Sequence, residues 1–273
     1  MNKLNLLMSL LKYSIINPYG GMNLLQSKYQ VYKDSKNKNL IHRFENTRSE
    51  VSEVIHDLFP SCGFSLNEQK QNLSFLEKHI DQFFKKLDMK EYPSKSKPYP
   101  PIYGIDETSG FFLYLICKIL KPEKIVETGV AYGLGSAYIL QALHENKKGM
   151  LYSIDYVFRP WESKSMIGAL IPDNLRDRWK LIYGPSSRKL KNLLVSLGSV
   201  DIFFHDSLHT FDNMTFEFNT AWPFIKKDGF LLSDDIAGND AFYNFYSKMN
   251  LRSYALTQKN KEKSFLGIIQ KTN

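Results

Sequence analysis

From residue 107 onward, short apolar runs alternate with segments of helical periodicity, and no other feature of the chain restricts its fold as strongly. ETSGFFLYLICKIL (107–120) reads as a helix that stops before Pro122, and KIVETG (124–129) as a buried strand. GSAYILQALHEN (135–146) is a helix and MLYSIDY (150–156) a strand; after an irregular piece, WKLIYG (179–184) is again a strand. SRKLKNLLVSLG, VDIFFHD, MTFEFNTAWPFI, GFLLSDDI and GNDAFYNFYSKM continue the rhythm as helix, strand, helix, strand and helix. SYALTQ and SFLGIIQ, split by KNKEK, close the chain as a hairpin. Strands alternating with helices build βαβ units and a mostly parallel, doubly wound sheet; the hairpin adds one antiparallel strand to it.

Residues 1–100 lack this rhythm. VSEVIHDLF and LNEQKQNLSFLEKHIDQFFKKL have helical periodicity, with Ser65 placed to cap the second. Near the N-terminus Leu4, Leu7, Met8 and Leu11 share one helical face, which we expect to pack against the protein or a partner. The apolar stretch is broken by Lys12 and is too short to span a membrane. EYPSKSKPYPPIYG (91–104) is proline-rich and poor in apolar runs, so we place a boundary near residue 100. This divides a helical N-terminal region (1–100), a cap or a homodimer interface, from the α/β domain (101–273). The chain has 273 residues, 43% hydrophobic, enough for one sizeable core without staples. Its two cysteines exclude a disulfide framework and a four-thiolate metal site, and suit a cytoplasmic location. The net charge of +8 is spread out rather than blocked, with no basic tract interleaved with aromatics, so no nucleic-acid partner is expected.

In such sheets ligands bind beyond the carboxyl ends of the strands, where the strand order reverses. The first strand of the alternating region runs into ETGVAYGLGS, whose Gly129, Gly133 and Gly135 permit a sharp turn and close approach of a ligand. The spacing is neither the dinucleotide fingerprint nor a phosphate loop. The next strand ends in Asp155, placed to accept from two ribose hydroxyls or to cap the following turn. Together the turn and Asp155 favour an adenosine-containing ligand. Ser186 and Ser187, after the strand WKLIYG, offer short donors beside it.

HDSLH (205–209) raises the question of a metal pair. The residues before it are β-type, so His205 and His209 are not a helical i, i+4 pair, and His205 reads as a core histidine. Asp206 ends this strand, and Asp234 and Asp235 end the one after it. Neighbouring strand ends bring these three carboxylates to one cleft, where hard oxygen ligands suit Mg²⁺ or another divalent cation.

VETGVAYGLGSA, SIDY, GPSS, FFHDSLHTFDNM and GFLLSDDI, in that order, resemble class I S-adenosylmethionine-dependent methyltransferases of the family 24 type. These are relatives of catechol O-methyltransferase and of the macrolide-sugar O-methyltransferases. The resemblance covers residues 104–273 and implies a Rossmann-like sheet of seven strands. It implies that Glu127, Gly129, Gly133, Gly135 and Ser136 hold the methionine part of the cofactor, that Asp155 and Ser186 hold ribose and adenine, and that Asp206 lies at the cofactor. In the catechol-type enzymes an acid and an acid–amide pair hold a divalent metal; Asp206 and Asp234 match the acids, and Asp235 replaces the amide. A catalytic lysine follows the first acid by three positions there; here that position is His209, whose imidazole can take a proton from a hydroxyl.

These features imply an O-methyltransferase for a small molecule or a glycan. Alternatives are a cofactor-binding module without turnover, or a nucleic-acid methyltransferase. The insertion at 157–179 reads either as a lid, whose Arg159, Trp161, Lys164 and Arg178 meet an anionic or sugar-like acceptor, or, in LRDRW, as a salt-bridged turn that starts the next strand; Asn239 and Phe242 are further rim candidates.

Overall fold

The computed structural model describes residues 3–36, 41–63, 65–87, 94, 97–100, 104–157, 163–258 and 264–272. Eight strands form one sheet: β1 (Arg48–Ser49), β2 (Lys124–Thr128), β3 (Met150–Asp155), β4 (Trp179–Tyr183), β5 (Val200–His205), β6 (Ile225–Ser233), β7 (Ser253–Thr257) and β8 (Phe265–Gln270). Their spatial order is β1-β7-β8-β6-β5-β2-β3-β4. Only β8 runs antiparallel to its neighbours. The expected seven strands are all present. The eighth, β1, has two residues, too few to show a period in sequence, and pairs with β7 through Arg48 opposite Ala255. The chain proceeds from β2 outward to β3 and β4, then returns to β5 on the other side of β2. The order therefore reverses between β2 and β5, and a crevice opens at their carboxyl ends.

The strands are apolar on both faces because helices cover both. Ile125, Ile202, Phe204, Leu232 and Ile268 join one core with α6 (Glu107–Leu120) and α7 (Leu134–Asn146). The residues next to them, Val126, Phe203, Leu231 and Ile269, join the other with α8 (Ser186–Leu197), α9 (Phe211–Ala221) and α10 (Ala241–Lys248). Each fully buried phenylalanine here contributes about 1.5–3 kcal/mol. β6 begins at Ile225, four residues before the expected GFLLSDDI strand, with Asp228 at φ +62° and a register shift opposite Val200 and Ile202. That irregularity hides the early half of the strand from its sequence pattern.

In the N-terminal region the single helix expected after Ser65 is two, α4 (Leu66–Asn72) and α5 (Ser74–Lys86), with Leu73 fully buried at the joint. Ser65 Oγ accepts from Glu68 N as the cap. Val54, Ile55, Leu73 and Leu76 share the core of α6 and α7. Further N-terminal, α1 (Lys3–Ile16) and α2 (Pro18–Asp34) are joined through the single residue Asn17 and touch at that junction. Asn17 Oδ1 caps α2 by accepting from Gly20 N at 2.9 Å. The face carrying Leu4, Leu7, Met8 and Leu11 is 50–65% exposed in this chain, so these residues do not pack on the body of the protein. Among the described residues no helix is long and apolar enough to cross a membrane. The KNKEK segment lies outside the described residues.

Candidate active site

A cavity of about 940 Å³ opens at the carboxyl ends of β2, β3, β4, β5 and β6. Gly129, Asp155, Ser186, Asp206, His209, Asp234 and Asp235 all line it. Glu127, Gly133, Gly135 and Ser136 do not; they stand behind the turn and shape it. Glu127 is 1% exposed, and its Oε2 accepts from Ser136 Oγ at 2.7 Å and Ser153 Oγ at 2.5 Å. Ser153 lies directly opposite Glu127 in the β2–β3 register. Gly133, at φ +94°, sits against Ile171, leaving no room for a side chain.

Burial pushes the Glu127 carboxyl up to about 8, further than its two serine donors can pull it down. The sign of its effect on stability follows. Between about pH 4.5 and pH 8 the folded protein holds a proton that the unfolded chain has released, so stability falls as pH rises through that window. Glu127→Gln removes this contribution. In denaturant titrations the wild type loses about 1–3 kcal/mol more than the variant between pH 5 and pH 8, out of the ~1.4 kcal/mol per pH unit that one proton allows. Parallel losses in the two proteins would show that Glu127 is ionised throughout.

Asp155 closes the glycine turn. Its Oδ2 accepts from Val130 N and Ala131 N, both at 2.9 Å, and its Oδ1 from Tyr156 N at 2.5 Å. A carboxylate has roughly four acceptor positions, so one position on Oδ1 remains for a hydroxyl in the cavity. Capping and ligand binding, alternatives in the sequence, are compatible in the structure.

At the end of β5, Asp206 N donates to Thr128 O at 2.8 Å, fixing Asp206 beside the turn. His209 Nε2 stands 3.5 Å from Asp206 Oδ1. Asp234 is 2% exposed and accepts from Gln258 Nε2 at 2.7 Å. Donor atoms of Asp206, His209 and Asp234 all lie within 4.8 Å of one another. This trio differs from the expected Asp206, Asp234 and Asp235. Adjacent residues leaving a strand diverge, and Asp235, at φ +49°, accepts from Ser264 Oγ. Burial opposes a charge on His209, but the Asp206 carboxylate and the charges of Asp235 and Asp234 outweigh it and raise its pKa to about 9. The imidazole is thus cationic at neutral pH, not half-titrated as its ordinary value would give.

His205 is a core residue, as its strand position predicts. It is fully buried, with Nδ1 2.7 Å from Glu217 Oε2. Glu217 also accepts from Thr128 Oγ1 at 2.5 Å and Ser207 Oγ at 2.9 Å, tying β2, β5 and α9 together under the cavity floor.

The described part of the 157–179 insertion forms no wall of the cavity. It packs against the outside of the glycine turn, where Gly168 N donates to Ala131 O at 2.9 Å and Leu170 N to Tyr132 O at 2.9 Å. Arg178 donates to Gly149 O and Lys164 sits over the Tyr183 ring, and neither lines the cavity; Arg159 and Trp161 lie outside the described residues. Asn239 and Phe242 are fully buried rather than at the rim. The wall instead comes from α2, through Asn23, Gln26, Ser27, Gln30 and Val31. A polar stripe at i, i+3, i+4 and i+7 in QSKYQ and the residues before it was the available signal.

Residues 126–236 match the model of a family described as a methyltransferase domain. An O-methyltransferase from Bacillus cereus, crystallised with S-adenosylhomocysteine, superposes with a TM-score of 0.53 at 14% identity, over 81% of this chain and 97% of that one. The methyltransferase PaMTH1 of Podospora anserina, also bound to S-adenosylhomocysteine, gives 0.53 at 15% identity over 78% and 98%. TomG of Streptomyces achromogenes, an O-methyltransferase of tomaymycin synthesis solved with S-adenosylmethionine, gives 0.51 at 17% over 71% and 96%. At these identities the likeness is one of fold. No curated protein sequence matches the chain.

Proposed function

We propose that this chain, whose residues 126–236 match the model of a methyltransferase domain, is an S-adenosylmethionine-dependent O-methyltransferase acting on a hydroxyl of a small molecule or glycan. The observation that carries this reading is the gathering of Gly129, Asp155, Ser186 and Asp206, from four successive strand ends, around one cavity at the switch point. The electrostatics support it. Asp155, Asp206, Asp212, Asp234 and Asp235 line the cavity, and among its described lining residues there is no lysine or arginine. Such a wall favours a sulfonium cation.

When bound, S-adenosylmethionine supplies an electrophilic methyl group, which an acceptor oxygen takes in line to leave S-adenosylhomocysteine. The protein positions the partners and manages the proton. Asp155 Oδ1 receives a ribose hydroxyl, and Gly129 leaves the turn open to the methionine part. His209 would take the acceptor's proton once a bound cation has offset the carboxylates that hold it protonated, and Asp206, 3.5 Å from Nε2, orients the ring. Asp206 and Asp234, with His209 beside them, fit a divalent cation in donor chemistry and spacing, and a cation there would acidify the acceptor hydroxyl and offset the carboxylates that now hold His209 protonated.

Calorimetric titration of metal-stripped protein tests the reading. S-adenosylmethionine and S-adenosylhomocysteine both bind, and Asp155→Ala weakens both about ten- to hundred-fold, the worth of a hydrogen bond to a charged group. Mg²⁺ alone gives heat that Asp234→Ala abolishes. If neither adenosyl compound binds the wild type, the methyltransferase reading is wrong; if Mg²⁺ gives no heat, the metal is.

A further inference from the structure

Helix α2 is amphipathic in the reverse sense. A surface helix ordinarily buries its apolar stripe. Here Met22, Leu25, Tyr29 and Tyr32 are 60–70% exposed, while Asn23, Gln26, Ser27 and Gln30 turn toward the cavity. Asn23 and Gln30 are half-buried and Gln26 is exposed, so folding alone gains little from facing these amides inward. Asn23 Nδ2 is buried with no hydrogen-bond partner, which costs about 1–3 kcal/mol while it stays so. Gln30 is pre-set: its Oε1 accepts from Thr210 Oγ1 at 2.7 Å, which leaves its NH₂ as a donor.

The helix is fixed at both ends across the cavity. At its C-terminal end Phe211 N donates to Asp34 Oδ2 at 2.7 Å, and Lys33 pairs with Asp212 at 3.1 Å. At its N-terminal end the Arg188 guanidinium sits 3.8 Å over the Tyr19 ring. The cavity, about 940 Å³, is at the upper end of the roughly 300–1,000 Å³ range of ligand pockets and has room for an acceptor beside a cofactor.

We infer that α2 is the acceptor-reading element, and that Asn23, Gln26 and Gln30 select an uncharged acceptor bearing several hydroxyls, of saccharide type, over an acidic one. The inference rests on the methyltransferase reading of the same cavity. Side-chain amides both donate and accept, as hydroxyls do, so a row of them matches a polyol without fixing a charge. Among the described residues, five carboxylates line the walls against a single cationic side chain, His209, and with Asp212 already paired to Lys33 the balance stays negative and repels a phosphate or carboxylate.

The test uses the full chain saturated with S-adenosylhomocysteine, so that no turnover occurs. Methyl glycosides of neutral hexoses and 6-deoxyhexoses, the corresponding hexose 6-phosphates, and catechol are titrated by ligand-observed NMR. Neutral glycosides bind, and the phosphates bind at least about ten-fold more weakly. The double variant Asn23→Ala/Gln26→Ala weakens glycoside binding at least about ten-fold, one or two lost hydrogen bonds, while its affinity for S-adenosylhomocysteine stays within two-fold. The isosteric pair Asn23→Asp/Gln26→Glu gives the same loss without truncating either side chain. The inference is overturned if no glycoside binds the loaded wild type, if the phosphates or catechol bind as tightly as the glycosides, or if the variants bind like wild type. Failure of S-adenosylhomocysteine to bind the wild type counts instead against the methyltransferase reading.

Discussion

His209→Ala lowers turnover by about 10²–10⁴-fold, the usual worth of a positioned general base, and leaves the affinity for S-adenosylmethionine within about two-fold of wild type. The split follows from position. His209 stands 3.5 Å from Asp206 on the loop after β5, whereas the residues that close the glycine turn are Asp155 and the backbone of Val130 and Ala131. On the proposed mechanism, loss of the imidazole removes the group that takes the acceptor's proton, without loosening the turn. His209→Lys recovers part of the lost turnover only with a divalent cation present, because without one Asp206, Asp234 and Asp235 hold the ammonium protonated. His209→Gln, which keeps volume and polarity but cannot take a proton, does not. Single-turnover rates with an acceptor from the glycoside panel, alongside calorimetry of the cofactor, measure both quantities. Turnover in His209→Ala equal to wild type sinks the base assignment. Loss of Mg²⁺ heat in that variant places His209 among the metal ligands instead.

The sheet was legible because each buried strand is an apolar run that ends in a polar residue, and the runs are spaced by helical periods. The same logic placed Asp155, Asp206 and Asp234 at strand ends, and so at one cavity. What it could not see was register. Glu127 meets Ser153 only because β2 and β3 pair with those residues opposite, and Ser136 only through the helix that follows the turn. Glu127 is therefore a buried support of the turn rather than a wall of the cavity. Asp235 was grouped with Asp234 by adjacency, but a left-handed backbone at φ +49° carries it to Ser264, and His209 completes the cluster. The reading of the N-terminal region as a possible cap did not single out α2 or its lining residues, for a stronger reason. Hydrophobic periodicity points to the face that should be buried, and in α1 and α2 that face is outward. Where a helix roofs a polar site, the rule inverts, and the stripe to look for is the amide one.

Gly129→Ala is the substitution with the largest expected structural effect. Gly129 has φ +82°, a conformation that costs an L-residue roughly 1–2 kcal/mol. An added Cβ would also fall inside the Asp206 carbonyl, 2.5 Å from its carbon and 2.8 Å from Ser207 Cα. These are backbone atoms and cannot rotate away. They are also pinned: Asp206 N donates to Thr128 O at 2.8 Å, and Gly129 N to Ile154 O at 2.9 Å. Relief therefore requires prising β5 from β2 at the switch point, an overpacking cost of about 1–3 kcal/mol beyond the strain. The sum, about 2–5 kcal/mol, corresponds to a Tm lower by roughly 4–20 °C for a chain of this size. The same displacement distorts the glycine turn and shifts Asp206, so on the proposed function the affinity for S-adenosylmethionine falls with stability. Gly198→Ala is the control. Its φ is +74°, but nothing lies within 4 Å of the added carbon, so it bears the backbone strain alone. Calorimetric melting of the two variants separates the contributions. If Gly129→Ala melts no lower than Gly198→Ala, the strand ends are not locked as described, and the close approach of β5 to the turn is not what makes glycine necessary there.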